Sequence, residues 1–273
     1  MLFLAKKSLG QNFLKSQRAL EAATEAVGLK AGDTVLEIGP GYGALTEHLL
    51  ETGAHVVAVE KDANLFAFLS DKYSLEIKSK HFVLVYKDIL DLSAHEQKSL
   101  GLKKGAYKIV ANIPYNITGQ IIRQFLTGEN QPNKMALLVQ KEVADRIVGR
   151  DPHGRSNNKE SLLSISVKVY GVPKIIMRVG KEQFSPQPKV DSAIILIDNI
   201  SRDFFTDNKI SEEKFWTIIH AAFAHKRKTV TGNLKGLVES ERLLAELEEQ
   251  KISPTVRAED ISIEEWGKLI SAI

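Results

Sequence analysis

The chain contains no cysteine. Disulfides, thiolate zinc sites and cysteine nucleophiles are therefore excluded. It has no apolar run long enough to span a bilayer. Its first stretch, MLFLAKKSLGQNFLKS, lacks the charged start, long apolar core and small-residue cleavage site of a signal peptide. A cytoplasmic protein with no membrane partner is the simplest reading. Histidines are scattered, and none stands in an H-x-x-x-H or H-E-x-x-H arrangement, so no metal site is expected. Internal repeats and low-complexity segments are absent too.

What is present is ordinary globular material. A length of 273 residues with 43% hydrophobic and 26% charged side chains suits one large domain, or a main domain with a smaller one attached. The net charge of +3 says little by itself. Its distribution says more. Lys6, Lys7, Lys15 and Arg18 cluster early; Arg146, Arg150, Arg155 and Lys159 form a second group; Lys226, Arg227, Lys228 and Lys235 form a third. Any one such patch is ordinarily a solvated face, but several on a near-neutral chain fit a polyanion partner.

Short apolar segments alternate with amphipathic ones. TVLEIG (34–39), HVVAVE (55–60), HFVLVY (81–86), KIVAN (108–112) and KMALLVQ (134–140) read as buried strands. Helices are expected from Ala44, after Asp62 as N-cap, and through Ile121, Ile122 and Phe125. The pattern implies an α/β fold with a parallel sheet covered on both faces. Segments 172–179 and 193–198 are also strand-like with no full helix between them, so one pairs antiparallel. From about residue 200 the pattern is helical, over 211–224, 228–239, 240–250 and 262–272. A domain boundary is expected near Ser201, dividing residues 1–200 from a small all-α domain, 201–273.

The first strand runs into Gly39-Pro40-Gly41-Tyr42-Gly43. A strand, a G-x-G turn and a helix let a ligand approach backbone N–H groups without Cβ clashes. Gly39, Gly41 and Ala44 satisfy the loose dinucleotide spacing, so the loop alone does not separate NAD from another nucleoside ligand. Glu60 ends the second strand, 21 positions after Gly39, where a carboxylate accepts both hydroxyls of a ribose. Asp88 ends the third strand and is placed to accept from an adenine amino group. Together these residues describe an adenosine-shaped pocket. Two features favour S-adenosyl-L-methionine over NAD. Glu37 lies inside the first strand, where it could orient the loop or a methionine end. Gly43 adds a third glycine, and no basic residue stands beside the loop for a phosphate.

Asn112-Ile113-Pro114-Tyr115 follows the fourth strand. Loops at the carboxyl ends of parallel strands are where α/β proteins bind and react. An adenine N6 amine attacks poorly because its lone pair is delocalised into the ring. A site helps by accepting hydrogen bonds from its N–H groups. The Asn112 oxygen can do so, as can a backbone carbonyl near Ile113 or Pro114, aimed by the proline turn. Tyr115 offers a face for a flipped base, worth about 1–3 kcal/mol by analogy with base–aromatic contacts. In-line placement of amine, methyl carbon and sulfur supplies most of such a transfer.

VLEIGPGYGALT resembles the first motif of Rossmann-like methyltransferases. The N-I-P-Y form is similar to that of the ribosomal RNA adenine N6-dimethyltransferases. KKSLGQNFL (6–14), LLVQKEVADRIVG (137–149), FSPQPKVDSAIILI (184–197), AAFAHKRKTVTGNLKG (221–236) and RAEDISIEEWGKL (257–269) resemble further segments of that family. The resemblance implies that Gln11, Asn12 and Leu14 close over the cofactor, with Gly39, Glu60, Asp88 and Asn112 as further contacts. It implies that Asn112 and Pro114 activate the amine, that Tyr115 stacks the base, and that Lys226, Arg227 and Lys228 meet RNA phosphate.

Two branches share these motifs. One dimethylates two adjacent adenines in the 3′-terminal hairpin loop of small-subunit rRNA; the other modifies one large-subunit adenine and confers macrolide resistance. Ile113 fits either. PKVDSA, HKRKT and RAEDIS favour the small-subunit branch, acting on assembling 30S subunits. The stretch NNKESLLSIS (157–166) departs from that branch, which has Tyr-Gly before Leu-Ser. A non-catalytic RNA-binding assembly factor on the same fold is the alternative of another class. Nothing in the sequence requires more than a monomer.

A ligand that binds only the native state raises its stability, by about 2.7 kcal/mol at a hundredfold excess over its Kd. S-adenosyl-L-methionine should therefore raise the melting temperature, and NAD should leave it unchanged. The reverse result in a thermal-shift measurement would return the glycine loop to a dinucleotide.

Overall fold

The computed structural model describes residue 6 and residues 9–149 and 159–273. Lys7, Arg150 and Arg155 of the basic groups, and the start of NNKESLLSIS, lie outside the described residues. Two compact units are present: Met1–Ala144 with Val172–Ile200, and Asp145–Gly171 with Ser201–Ile273. The longer segment of the helical unit begins at Ser201. The unit also takes Asp145–Gly171, which the sequence pattern assigns to the first domain. That segment holds the helix Leu162–Lys168, and apolar patterning alone does not say against which unit a helix packs.

The first unit is built on seven strands: β1 (Thr34–Ile38), β2 (His55–Glu60), β3 (Phe82–Tyr86), β4 (Tyr107–Asn112), β5 (Lys134–Gln140), β6 (Val172–Val179) and β7 (Ser192–Asp198). Their order across the sheet is β3-β2-β1-β4-β5-β7-β6. The first five are parallel. β7 is antiparallel to both neighbours, β5 and β6. Val35, Val56, Ile109, Val110, Met135, Ile194 and Ile195 are fully buried. Continuous apolar runs of this kind mark strands covered on both faces.

Chain order reverses at the sheet's centre. β1 leads outward to β2 and β3; β4, on its other side, leads outward to β5. A crevice opens at such a switch point, at the carboxyl ends of the strands. The loops 39–43 and 112–117 both leave the sheet there. A two-stranded ribbon, Phe13–Leu14 with Phe184–Ser185, completes this unit.

Local chemistry sets the helix starts. Asp62 caps the helix Ala63–Lys72, accepting the Asn64 N–H as expected. Gly43 precedes the helix Ala44–Glu51 in a left-handed conformation, φ 82°. It is held from behind by Tyr73, whose buried hydroxyl donates to the Gly43 carbonyl at 2.8 Å.

In the helical unit, Glu212–Ala222, Ser240–Glu249 and Ile263–Ala272 match the sequence pattern. Phe215, Leu247, Trp266, Leu269 and Ile270 are fully buried. The expected helix over 228–239 is only four residues long, Val230–Asn233. Gly236 adopts φ 86°, a left-handed turn that an α-helix cannot continue through.

A Cβ on Gly43 would lie 2.5 Å from the Tyr73 hydroxyl, whereas one on Gly28, with φ 59°, would meet nothing within 4 Å. Both substitutions carry the left-handed cost, but only one carries the clash. Gly43→Ala should lower stability by about 1–3 kcal/mol more than Gly28→Ala in urea unfolding. Equal losses would mean that Tyr73 does not pin the loop.

Candidate active site

The cleft at the switch point is lined by the 9–13 segment, Gly39 and Gly41, Glu60 and Lys61, 87–90 and 112–117. Gly39 has φ 66°, and a Cβ on it would meet no protein atom within 4 Å. The backbone is thus bare toward the open side. Gly41 is crowded from elsewhere, because a Cβ there would lie 3.0 Å from the Phe13 ring. That close approach lets the Phe13–Leu14 ribbon sit on the glycine loop.

Glu60 is buried at the end of β2. Its Oε1 accepts the Asp62 N–H at 2.7 Å, and its Oε2 accepts the Gly41 N–H at 3.3 Å. Burial pushes its carboxyl up, and those backbone donors oppose the shift. Each oxygen has lone pairs remaining, so the group fits a vicinal diol. Asp88 accepts the Leu90 N–H at 3.1 Å and the Lys61 ammonium at 2.5 Å. Burial acts to raise its carboxyl, but Lys61 and the Leu90 amide outweigh it and hold the group below the usual range. It stays an acceptor, as an exocyclic amino group requires. The Lys61 partnership was not visible in the sequence, where the two residues are 27 apart.

Asn112 ends β4. Its Nδ2 donates to the Asn12 backbone carbonyl at 2.9 Å. A carbonyl cannot accept from another oxygen, so this contact fixes which end of the amide is which. Oδ1 is left as the free acceptor, without a protein partner among the described residues. Pro114 holds φ −59° and starts the short turn Tyr115–Ile117. Its carbonyl accepts the Ile117 N–H at 3.2 Å. Of the two backbone acceptors considered from sequence, the Pro114 carbonyl is therefore engaged in its own turn, and that of Ile113 is not. Tyr115 lines the cleft and is tied through its hydroxyl to Ser192 Oγ at 2.6 Å.

Gln11 and Asn12 line the cleft as expected. Gln11 Oε1 accepts the Lys6 N–H at 2.8 Å, and its Nε2 reaches Asp62 at 3.1 Å. Lys6 also pairs with Asp62 at 2.8 Å, so it belongs to this clamp rather than to a free basic patch. Two expected cofactor contacts are not in the cleft lining. Leu14 is core, in the ribbon opposite Phe184. Alternation along a strand turns it away from the face that its neighbour Phe13 presents. Glu37 points behind the glycine loop, where its Oε2 accepts the Thr46 hydroxyl at 2.7 Å and its Oε1 has no partner. It supports the loop and does not reach the open side.

Lys226, Arg227 and Lys228 are exposed on a turn of the helical unit. The Asn233 amide holds that turn, donating to the carbonyls of Ala222 at 2.6 Å and His225 at 3.1 Å. Lys159, by contrast, pairs with Glu259 and Asp260 of its own unit. Among the described residues, no helix is long and apolar enough to cross a membrane.

A parallel sheet with an antiparallel strand inserted before its last edge, and a cleft at the switch point, is the architecture of a Rossmann-like class I methyltransferase. Two solved structures share the fold over 94% of this chain: the 23S rRNA methyltransferase ErmE (TM-score 0.74, 22% identity, 98% of that chain) and a dimethyladenosine transferase from Plasmodium falciparum (TM-score 0.75, 23% identity, 95% of that chain). The chain belongs to the ribosomal RNA adenine dimethylase family, whose model matches residues 2–273. Among its relatives, the ribosomal RNA small subunit methyltransferase A of Dehalococcoides mccartyi strain CBDB1 is 40% identical across 97% of this chain and 87% of its own length. The protein of that name from Clostridium botulinum strain Okra is 37% identical across 99% and 94%.

Burial pushes the Glu37 carboxyl up to about 8; the Thr46 hydroxyl opposes this, and the charge of Glu60 adds to it. Between the ordinary value of 4.5 and about 8, the native state keeps a proton that the unfolded chain releases. Stability contributed by this group is therefore present at low pH and lost as pH rises through that window. Urea unfolding should show wild type losing stability relative to Glu37→Gln between about pH 5 and about pH 8. A pH-independent difference would mean that Glu37 is ionised in the native protein.

Proposed function

We propose that the protein transfers methyl groups from S-adenosyl-L-methionine to N6 of two adjacent adenines in the 3′-terminal hairpin loop of small-subunit rRNA. The products are N6,N6-dimethyladenosines, formed in the cytoplasm while the 30S subunit matures. One observation carries the chemistry: the Asn112 amide is locked with Nδ2 on the Asn12 carbonyl, which leaves Oδ1 to accept from an attacking amine. The names of the two bacterial relatives support the small subunit as the substrate.

When bound, S-adenosyl-L-methionine supplies an electrophilic methyl group on a sulfonium sulfur. The residues do the rest. Glu60 holds the ribose diol and Asp88 the adenine amino group, with Gly39 and Gly41 giving backbone access and Gln11 and Asn12 forming the near wall. In the first transfer Asn112 Oδ1 and the Ile113 carbonyl would accept the two N–H bonds of the target amine; one proton is lost to solvent with that transfer, so in the second a single N–H remains for one of the two acceptors. Accepting these bonds would favour the pyramidal amine, whose lone pair is then available to attack. Pro114 sets the turn, and Tyr115 stacks the flipped base. Correct placement of this kind is worth several orders of magnitude in rate. Lys226, Arg227 and Lys228 engage phosphates, so binding weakens with salt. One copy of the chain contains every group invoked.

The test uses labelled S-adenosyl-L-methionine, with small and large subunits from cells lacking these marks, and maps modified adenines by mass spectrometry. Adjacent dimethyladenosines in the small-subunit 3′ hairpin are expected. A single large-subunit adenine would move the protein to the resistance branch, and no label on either would favour a non-catalytic binder. Asn112→Ala should bind cofactor nearly normally and lose transfer by at least about a hundredfold. Normal turnover in that variant would overturn the role given to Asn112.

A further inference from the structure

β7 reads Ser192-Ala193-Ile194-Ile195-Leu196-Ile197 before its terminal aspartate, and all six side chains are buried. Five are apolar. The sixth, Ser192, is 0% exposed in an otherwise apolar run. A buried hydroxyl is costly unless it is hydrogen-bonded. Its side-chain partner is the Tyr115 hydroxyl, at 2.6 Å and 77 residues away in sequence. β7 is antiparallel to β5 and pairs Ser192 with Gln140, at the end of β5 where the cleft opens.

We infer that Ser192 is a positioning residue for base recognition, which holds the Tyr115 ring at the place in the cleft wall where the target adenine stacks. This rests on the reading that Tyr115 stacks that base. The ring is held at both ends. At its Cα, the Pro114 turn sets the backbone, with Pro114 at φ −59° and the Ile117 N–H closing on the Pro114 carbonyl. At its far tip, the hydroxyl is fixed to a fully buried atom on another strand. A ring anchored at both ends keeps its axis and the position of its tip, and the residue lines the cleft. A phenylalanine could stack equally well but could not be tethered. The device therefore places tyrosine in the turn and serine in the strand as a matched pair.

Stacking depends on ring orientation, and transfer depends on where the stacked base sets its amine. Loss of the tether should reduce the bound base's order while leaving Glu60, Asp88 and the glycine loop of the cleft in place. In single-turnover transfer to unmethylated small subunits, Ser192→Ala should slow methylation about three- to tenfold, the range set by one neutral hydrogen bond. Tyr115→Phe should slow it by the same factor, and the double variant by no more than either. Cofactor affinity should be unchanged in all three. With 2-aminopurine in place of the target adenine, the stacking-dependent quench should weaken in each.

Full-rate methylation by Ser192→Ala alongside slow Tyr115→Phe would overturn the tether. So would losses that multiply in the double variant, because independent effects combine in that way. Tyr115→Ala separates this inference from the reading beneath it. If that variant retains the wild-type rate and quench, Tyr115 does not stack the base, and the stacking role fails first. If it is slow while Ser192→Ala is normal, the stacking role stands and the tether fails.

Discussion

The Glu60 carboxylate joins the parts of the cleft. It is buried at the end of β2, takes the Gly41 N–H from the glycine loop, and takes the Asp62 N–H from the start of the next helix. Asp62 in turn caps that helix and receives Lys6 and Gln11 from the N-terminal segment. One acid thus fixes the glycine loop and, through its neighbour, the N-terminal segment that lines the same cleft. Burying a carboxylate is unfavourable unless it is hydrogen-bonded. Here the bonds are backbone donors on elements that must stay in register for the cleft to exist.

The same division of labour recurs around the cleft. Glu60 has a donor on each oxygen and lone pairs to spare. Asn112 commits its NH2 to the Asn12 carbonyl and leaves its oxygen open. Asp88 takes Lys61 and the Leu90 amide and remains an acceptor. Tyr115 is tied by its hydroxyl and lines the cleft. In each case one part of the group is fixed by the fold and another faces the cleft. Preorganised dipoles of this sort need no reorientation at the moment of reaction, which is why they stabilise a transition state more than a mobile solvent can.

The helical unit follows the same logic at larger scale. Three amphipathic helices bury Phe215, Leu247 and Trp266, and their acidic outer faces explain why the net charge is close to neutral. The basic turn 226–228 is a short, well-held exception. Asn233 donates its amide hydrogens to the Ala222 and His225 carbonyls just before that turn, so the cations leave from a defined backbone.

Much of this was legible in the linear chain. Five parallel strands, the capping role of Asp62 and the convergence of Gly39, Glu60, Asp88 and Asn112 follow from apolar periodicity and from acids and amides placed at strand ends. Those are local properties, since a strand-end residue in a doubly wound sheet has nowhere to go but the crevice. Gly236 stood in the sequence as well, but the extent of the helix before it depended on a φ that sequence does not print.

What the sequence alone determined was the set of groups brought to the switch point and the chemistry they can perform. Tertiary structure decided how each is held. It turned Leu14 and Glu37 away from the cleft, because alternation in a short ribbon and packing behind a loop depend on neighbours far along the chain. It paired Lys61 with Asp88, Lys6 with Asp62 and Ser192 with Tyr115, and it carried Asp145–Gly171 into the helical unit. Each of these rests on contacts between residues well separated in sequence. Periodicity and capping report only the few residues that one turn of helix or one strand can span.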